Sequence, residues 1–231
     1  MKSVNEKDTV HANQDILGGA LYDEIIRDDF YQLKQFYRSS HYTVASVIDI
    51  GANIGFFSLL AAVLYPQANM LLLEPNMLNV ELISENFTNF KNIYVVQKAL
   101  GNGKPVEIVN DRRWSGSDMF KESEEGNVES ISFSDLVNGN WDLASNNYIL
   151  KVDCEGGEYW LTKEPKEMFD NCVYFIAEFH ENAAGGLNTL ENWNKWFHET
   201  FEEIRYYKLV QQKGIDSATG IKLSAYFAVK R

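Results

Sequence analysis

The sequence predicts a doubly wound α/β domain built on a seven-stranded, mostly parallel sheet, with an antiparallel strand pair at its C-terminal end. Three observations predict it. Short apolar runs alternate with helix-period segments from residue 44 to residue 96. The first, second and fourth strand runs stop at a glycine or an acidic residue: Gly51, Glu74 and Asp153. The last two strand-like runs, 203–211 and 222–229, flank a long glycine-bounded turn. Parallel strands need crossover connections, which helices supply, and right-handed crossovers lead to a doubly wound sheet.

Residues 1–16 form a polar leader. Residues 17–40 carry Ile25, Phe30, Leu33 and Phe36 at helical spacing. Residues 1–40 are therefore assigned as an N-terminal helical extension and 41–231 as the main domain. Val47–Ile50 reads as a strand buried on both faces. A helix follows from Ile54 to Leu64 and ends before Pro66. Met70–Leu73 is the second strand, Leu78–Phe87 the next helix and Ile93–Val96 the third strand. Gly101-Asn102-Gly103 reads as a hairpin turn leading into Val106–Val109, with a surface loop after it. Tyr148–Val152 and Val173–Phe179 supply the fourth and fifth strands. The helix 189–201 carries Leu190, Trp193, Trp196 and Phe197, which read as core rather than as a substrate platform.

The chain has 231 residues and a formal net charge of -12. Such a charge repels phosphate backbones and anionic lipid, so neither nucleic acid nor a membrane is expected as a partner. Two cysteines, Cys154 and Cys172, have no zinc-ligand spacing and fit a reducing compartment. Residues 1–14 lack the apolar stretch that secretion needs, and no run reaches membrane-spanning length. A cytoplasmic protein is the expectation.

The strongest local signal is Val47-Ile48-Asp49-Ile50-Gly51-Ala52-Asn53-Ile54-Gly55. It is a strand, a glycine bend and a helix start. Gly51 suits a backbone turn that a β-carbon resists and lets a ligand approach the main chain. Gly55 suits close packing of helix on strand. The G-x-x-x-G spacing differs from the G-x-G-x-x-G of dinucleotide folds. Asp49 sits poorly beside a pyrophosphate and fits a ligand that carries an ammonium group. Glu74, 25 residues on, ends the second strand, where a carboxylate can accept both ribose hydroxyls of a nucleoside. Asn76 suits the cap of the following helix.

These residues resemble the FkbM family of methyltransferases. Ile48 to Ser58 looks like its glycine motif, Glu74-Pro75-Asn76 like its ribose motif, and Lys98-Ala99-Leu100-Gly101 like the segment that closes on adenine. Lys151-Val152-Asp153-Cys154-Glu155-Gly156-Gly157-Glu158 is similar to its K-I-D-V-E-G-A-E block, with Cys154 and Gly157 as departures. Tyr22 to Ile25 and Asp29 to Tyr31 resemble its opening segment. The likeness covers about residues 20–180.

The resemblance implies a Rossmann-like class I methyltransferase fold and an S-adenosylmethionine cofactor. It implies methyl transfer to a hydroxyl oxygen of a small molecule or sugar. Tyr31, Asp49, Gly51, Asn53, Gly55, Glu74, Pro75, Ala99 and Ser117 are the expected cofactor-binding residues. A nicotinamide oxidoreductase and a non-catalytic cofactor-binding module are the rival readings.

Asp153, Glu155 and Glu158 crowd one turn at the fourth strand end. Alternation places Glu178 and His180 on one face at the fifth. Asp153, Glu178 and His180 are the expected acceptor-facing catalytic residues. Three roles stay open for His180: a general base, a ligand to a divalent cation together with Asp153 and Glu178, or a hydrogen-bonded rim residue. Glu158 reads as the start of the next helix.

Overall fold

The structure, a computed structural model, describes residues 16–109, 119–138, 146–181, 189–203, 206–215 and 222–230. Ser117, the leader 1–15 and the turn 216–221 lie outside the described residues. The main sheet has seven strands: β1 Ser46–Ile50, β2 Asn69–Leu73, β3 Ile93–Val96, β4 Tyr148–Val152, β5 Cys172–His180, β6 Tyr206–Ile215 and β7 Lys222–Lys230. Their order is β6-β7-β5-β4-β1-β2-β3. Strands β1 to β5 pair in parallel, and β7 runs antiparallel to both β5 and β6. The expected doubly wound sheet with its closing antiparallel pair is thus the observed one.

Six α-helices accompany the sheet among the described residues: α1 Ile16–Tyr22, α2 Leu33–Ser39, α3 Phe56–Leu64, α4 Met77–Asn86, α5 Phe133–Asn138 and α6 Leu190–Glu203. They form a hydrophobic cluster on each face of the sheet. One joins Tyr31, Leu33 and Phe36 with Phe57, Leu60 and Ala61 of α3 and with Val47, Met70 and Ile176. The other joins Phe133 and Leu136 of α5 with Trp193, Trp196, Phe197 and Phe201 of α6, over Ile48, Leu150 and Phe175. The aromatic face of α6 is core, as the sequence predicts. A strand covered on both faces is apolar throughout, and β1 and β4 are buried along their whole length. No helix among the described residues is long and apolar enough to cross a membrane.

Two segments differ from the sequence expectation. The N-terminal helix is broken, with a short π-helix at Asp23–Arg27 and left-handed residues at Asp29 and Gln32 before α2. Asp29 explains the break: its carboxylate accepts from the amides of Lys34 and Gln35, the first turn of α2. The break also turns Tyr31 into the core. The second difference concerns Val106–Val109, which pairs antiparallel with Met119–Glu122 rather than across Gly101–Gly103. Ala99–Leu100 instead pairs in parallel with Ser130–Ile131. Gly101 permits that approach, since a β-carbon there would lie 2.5 Å from the Ser130 side chain.

The strand order reverses between β1 and β4. In open α/β sheets the crevice at such a switch point, beyond the carboxyl ends, takes the ligand. Gly51 follows β1 and Asp153 follows β4, so the two motif blocks meet there.

Candidate active site

A cavity of about 290 Å³ opens at this switch point. Its lining includes Tyr31, Gly51, Asn53, Glu74, Pro75, Ala99, Asp153, Glu178 and His180. These come from six separate stretches of chain, and the sequence reading named all of them. Asp49 and Gly55 do not line it. Glu24, Asn79, Lys98, Lys151 and Glu155 do; none of these five is among the expected binding or catalytic residues, although Lys98, Lys151 and Glu155 fall within blocks that carry the family resemblance.

Gly51 has φ +73, and a β-carbon on it would stand 1.8 Å from the Asp153 carbonyl oxygen. The bend therefore exists because two backbones touch. Gly51 and Ala52 spend their amides on the Leu73 carbonyl, at 2.9 and 3.1 Å, which ties the bend to the end of β2. Gly55, at φ +91, sits against the Phe87 ring and starts α3. Its role is packing.

Glu74 is buried. One carboxylate oxygen accepts from the Asn53 amide at 2.8 Å. The other accepts from the Asn76 amide at 2.9 Å and the Asn79 side chain at 3.2 Å. Burial pushes its pKa up to about 7, although those three hydrogen bonds and the charge of Lys151 pull the other way. Asn76 caps α4 through the Leu78 amide, as expected.

Asp49 is fully buried beneath α3, where Ser58 donates to it at 2.6 Å. Its registered neighbour on β4 is Lys151. The Lys151 ammonium lies 3.2 Å from Asp49, an ion pair rather than an aligned hydrogen bond, and donates to the Gly51 carbonyl at 2.6 Å. The ammonium that Asp49 meets is thus supplied by the chain itself. Burial works against the Lys151 charge, but Asp49 and Asp153 outweigh it and raise its pKa. A lysine in the middle of a strand buried on both faces requires an acidic partner, and that signal was present in the sequence.

Asp153 accepts from the Tyr31 hydroxyl at 2.6 Å. The Lys151 ammonium stands 5.6 Å from the centre of the Tyr31 ring. Burial and the charge of Asp153 hold the Tyr31 phenol well above its ordinary range. Tyr31 therefore acts as a donor that fixes Asp153.

The turn after Asp153 is clamped by Glu158. Its carboxylate folds back onto the amides of Cys154, at 3.0 Å, and Gly156, at 3.0 and 3.2 Å. It also meets His180 Nδ1 at 3.0 Å. Glu158 does lie in the first turn of a helix, the 3-10 segment Gly157–Lys163. His180 Nε2 faces Glu155 at 3.3 Å and Asp153 at 3.9 Å. Burial alone lowers the imidazole pKa. Glu158, Glu155 and Asp153 overcome that and hold it well above its ordinary value. Three carboxylates thus surround the imidazole, Glu158 on the Nδ1 side and Glu155 and Asp153 on the Nε2 side. Glu178 also lines the cavity, and burial followed by the charge of Asp153 pushes its pKa up to about 8.

The two departures from the motif touch each other. A β-carbon on Gly157 would come within 2.9 Å of the Cys154 sulfur and 3.3 Å of the Leu100 carbonyl oxygen. Cysteine at 154 and glycine at 157 therefore fit as a pair. Cys154 is buried, and burial together with Glu158 and Asp153 drives its thiol well above the ordinary range. Cys172 is buried as well. Both thiols are expected to resist a chromogenic disulfide reagent in the native protein and to react within minutes in denaturant.

No protein-family model and no curated protein sequence matches the chain. Solved structures do. The methyltransferase FkbM from Methylobacillus flagellatus KT aligns with a TM-score of 0.50 at 12% identity, over 80% of this chain and 44% of that one. The chain thus spans less than half the length of that protein. The METTL16 MTase domain aligns at 0.49 and 12% identity, over 89% and 68%. Magnesium protoporphyrin IX methyltransferase from Synechocystis PCC 6803, with bound SAM, aligns at 0.46 and 10% identity, over 94% and 85%. The chain has the fold of the methyltransferase FkbM.

Proposed function

We propose that the protein is an S-adenosylmethionine-dependent methyltransferase acting on a hydroxyl oxygen of a small molecule or sugar. One observation carries the reading. Glu74 stands at the end of β2, buried, locked by three hydrogen bonds and turned to a cavity at the switch point. A carboxylate held there suits a ribose diol. The rest of the lining fits the remainder of the ligand. Five carboxyl groups, those of Glu24, Glu74, Asp153, Glu155 and Glu178, line the cavity, which favours a ligand carrying hydroxyl and cationic groups over a pyrophosphate.

When bound, the cofactor supplies a methyl group already activated by a sulfonium sulfur. The protein's task is then alignment and exclusion of water. Glu74 would accept the ribose hydroxyls, with Pro75, Ala99 and Leu100 beside the nucleoside. Lys151 braces Gly51 against Asp49 and keeps the bend in place. Tyr31 holds Asp153. Asp153 and Glu178, both on the cavity wall, would accept a hydrogen bond from the acceptor hydroxyl. His180, held by Glu158, keeps the turn that carries Asp153 and Glu155 against β5. Ser117 stays a proposed cofactor contact from the resemblance alone.

The test is calorimetric titration of S-adenosylmethionine, its demethylated product and a nicotinamide dinucleotide. Binding of the first two and none of the third is the expected result. A preference for the dinucleotide would overturn the reading. Glu74→Ala should weaken binding by about 10- to 100-fold, the worth of a hydrogen bond to a charged group.

A pH arm, run on the wild type and on Glu178→Gln to remove the other carboxyl of the cavity whose pKa is pushed into this range, tests Glu74. Its ionised form accepts the ribose hydroxyls and its protonated form loses that capacity. Affinity is therefore lost as pH falls through about 7. Lys151 is the charged group that opposes its protonation. Methylthioadenosine carries no titrating group in this range and is expected to bind about tenfold more weakly at pH 6 than at pH 8. A flat profile would remove Glu74 from the ribose site.

A further inference from the structure

The carboxyl ends of β4 and β5 hold three donor groups that cofactor binding does not require. Asp153, Glu155 and His180 each offer one atom, and the three atoms lie within 4.8 Å of one another. His180 Nε2 is 3.3 Å from Glu155 and 3.9 Å from Asp153. Donors bonded to one ion at about 2.1 Å sit roughly 3.0 to 4.2 Å apart, so these separations suit a shared centre with small adjustments. All three residues line the cavity, and β5 lies three strand positions from Glu74.

The surroundings resemble the support of a metal ligand rather than of a surface ion pair. The Glu158 carboxylate, fully buried, takes His180 Nδ1 at 3.0 Å. That contact leaves Nε2 as the ring atom turned to Asp153 and Glu155. Metal-bound histidines are held through their second nitrogen in this way, most often by a carboxylate or carbonyl. Asp153 is in turn held by Tyr31, on its other oxygen. Glu155 sits in the left-handed region at φ +54 on a turn clamped by Glu158, so each donor is positioned before any ligand arrives.

We propose that Asp153, Glu155 and His180 form a site for a divalent first-row transition cation at the acceptor end of the cavity. One imidazole and two carboxylates suit Mn²⁺ or a neighbour in its row better than Mg²⁺, which favours an all-oxygen shell. Three protein donors leave coordination positions open toward the cavity. If the methyltransferase reading holds, those positions would orient the acceptor oxygen. That role rests on the reading, while the binding site does not.

The test uses the full chain, free of cofactor, titrated with Mn²⁺ while the signal of unbound Mn²⁺ is followed by electron paramagnetic resonance. One bound Mn²⁺ per chain is expected. Glu155→Gln and Asp153→Asn should each weaken binding at least about tenfold. Glu129→Gln, at an exposed pair with Lys98, should leave it unchanged. Circular dichroism melts show which variants fold; Glu155 lies on a partly exposed turn, so Glu155→Gln carries the test if Asp153→Asn does not fold. Loss confined to the donor variants supports the site. Wild-type protein that leaves Mn²⁺ unbound, or a Glu155→Gln variant that binds as tightly as wild type, overturns it. Titration of S-adenosylmethionine on the same samples separates the two claims: Mn²⁺ bound without that ligand keeps the cation site and sinks the methyltransferase reading, and the converse sinks only the cation site.

Discussion

Lys151→Met is expected to destabilise the protein by about 3–5 kcal/mol in urea unfolding, although position 151 lies inside a strand where an apolar side chain packs well. Lys151 and Asp49 are registered neighbours on β4 and β1, both buried, and 3.2 Å apart. Removing the cation strands Asp49, a buried carboxylate under α3, with Ser58 still donating to it. It also takes the donor from the Gly51 carbonyl. A domain of this size has only about 5–15 kcal/mol of stability in total, so the variant would be close to unfolding at ambient temperature. The double variant Asp49→Asn with Lys151→Met removes both charges and should recover most of the loss. If the single variant melted with the wild type, the pair would have no structural weight.

Gly51→Ala is expected to weaken S-adenosylmethionine binding by at least about 100-fold, the scale on which a displacement of about 1 Å at a site is felt. The new β-carbon would lie 1.8 Å from the Asp153 carbonyl oxygen and 2.7 Å from its carbonyl carbon. Neither is the end of a flexible side chain, so the bend after β1 must move away from the end of β4. Alanine at φ +73 adds about 1–2 kcal/mol of backbone strain. Gly55→Ala makes an informative comparison, because its β-carbon would meet the Phe87 ring at 2.7 Å, a side chain at the core edge. It should cost stability more than affinity. Equal affinity of Gly51→Ala and wild type, measured calorimetrically, would show that the ligand does not use this bend.

Much of the fold was legible before any coordinates. Apolar runs such as Val47–Ile50 and Tyr148–Val152 identify strands covered on both faces, and the acidic or glycine residue after three of the runs locates the ligand edge. Local chemistry sets these features, so a local reading finds them. The break at Asp23–Gln32 was not legible, because Ile25, Phe30, Leu33 and Phe36 keep a helical period across it. Asp29 ends that helix by capping α2, and a cap competes with helix interior only when the downstream segment is in place. The partner of Val106–Val109 was missed for a related reason: a nearby glycine turn suggested the hairpin, yet pairing is settled by which strand can reach.

Which residues gather at the cavity was legible in the sequence; the charges they meet there were not. Order and residue type alone determined that Gly51, Glu74, Asp153 and His180 end their strands at one edge of one sheet, since parallel strands share a carboxyl end. The tertiary structure decided the charges. Asp49 is paired with Lys151 on the neighbouring strand, and His180 is surrounded by Glu155, Asp153 and Glu158, so the charges around each come from other elements of the chain. The physical reason is that a buried ionisable group takes its state from desolvation and from charges within a few ångströms, and those distances exist only once the strands are side by side.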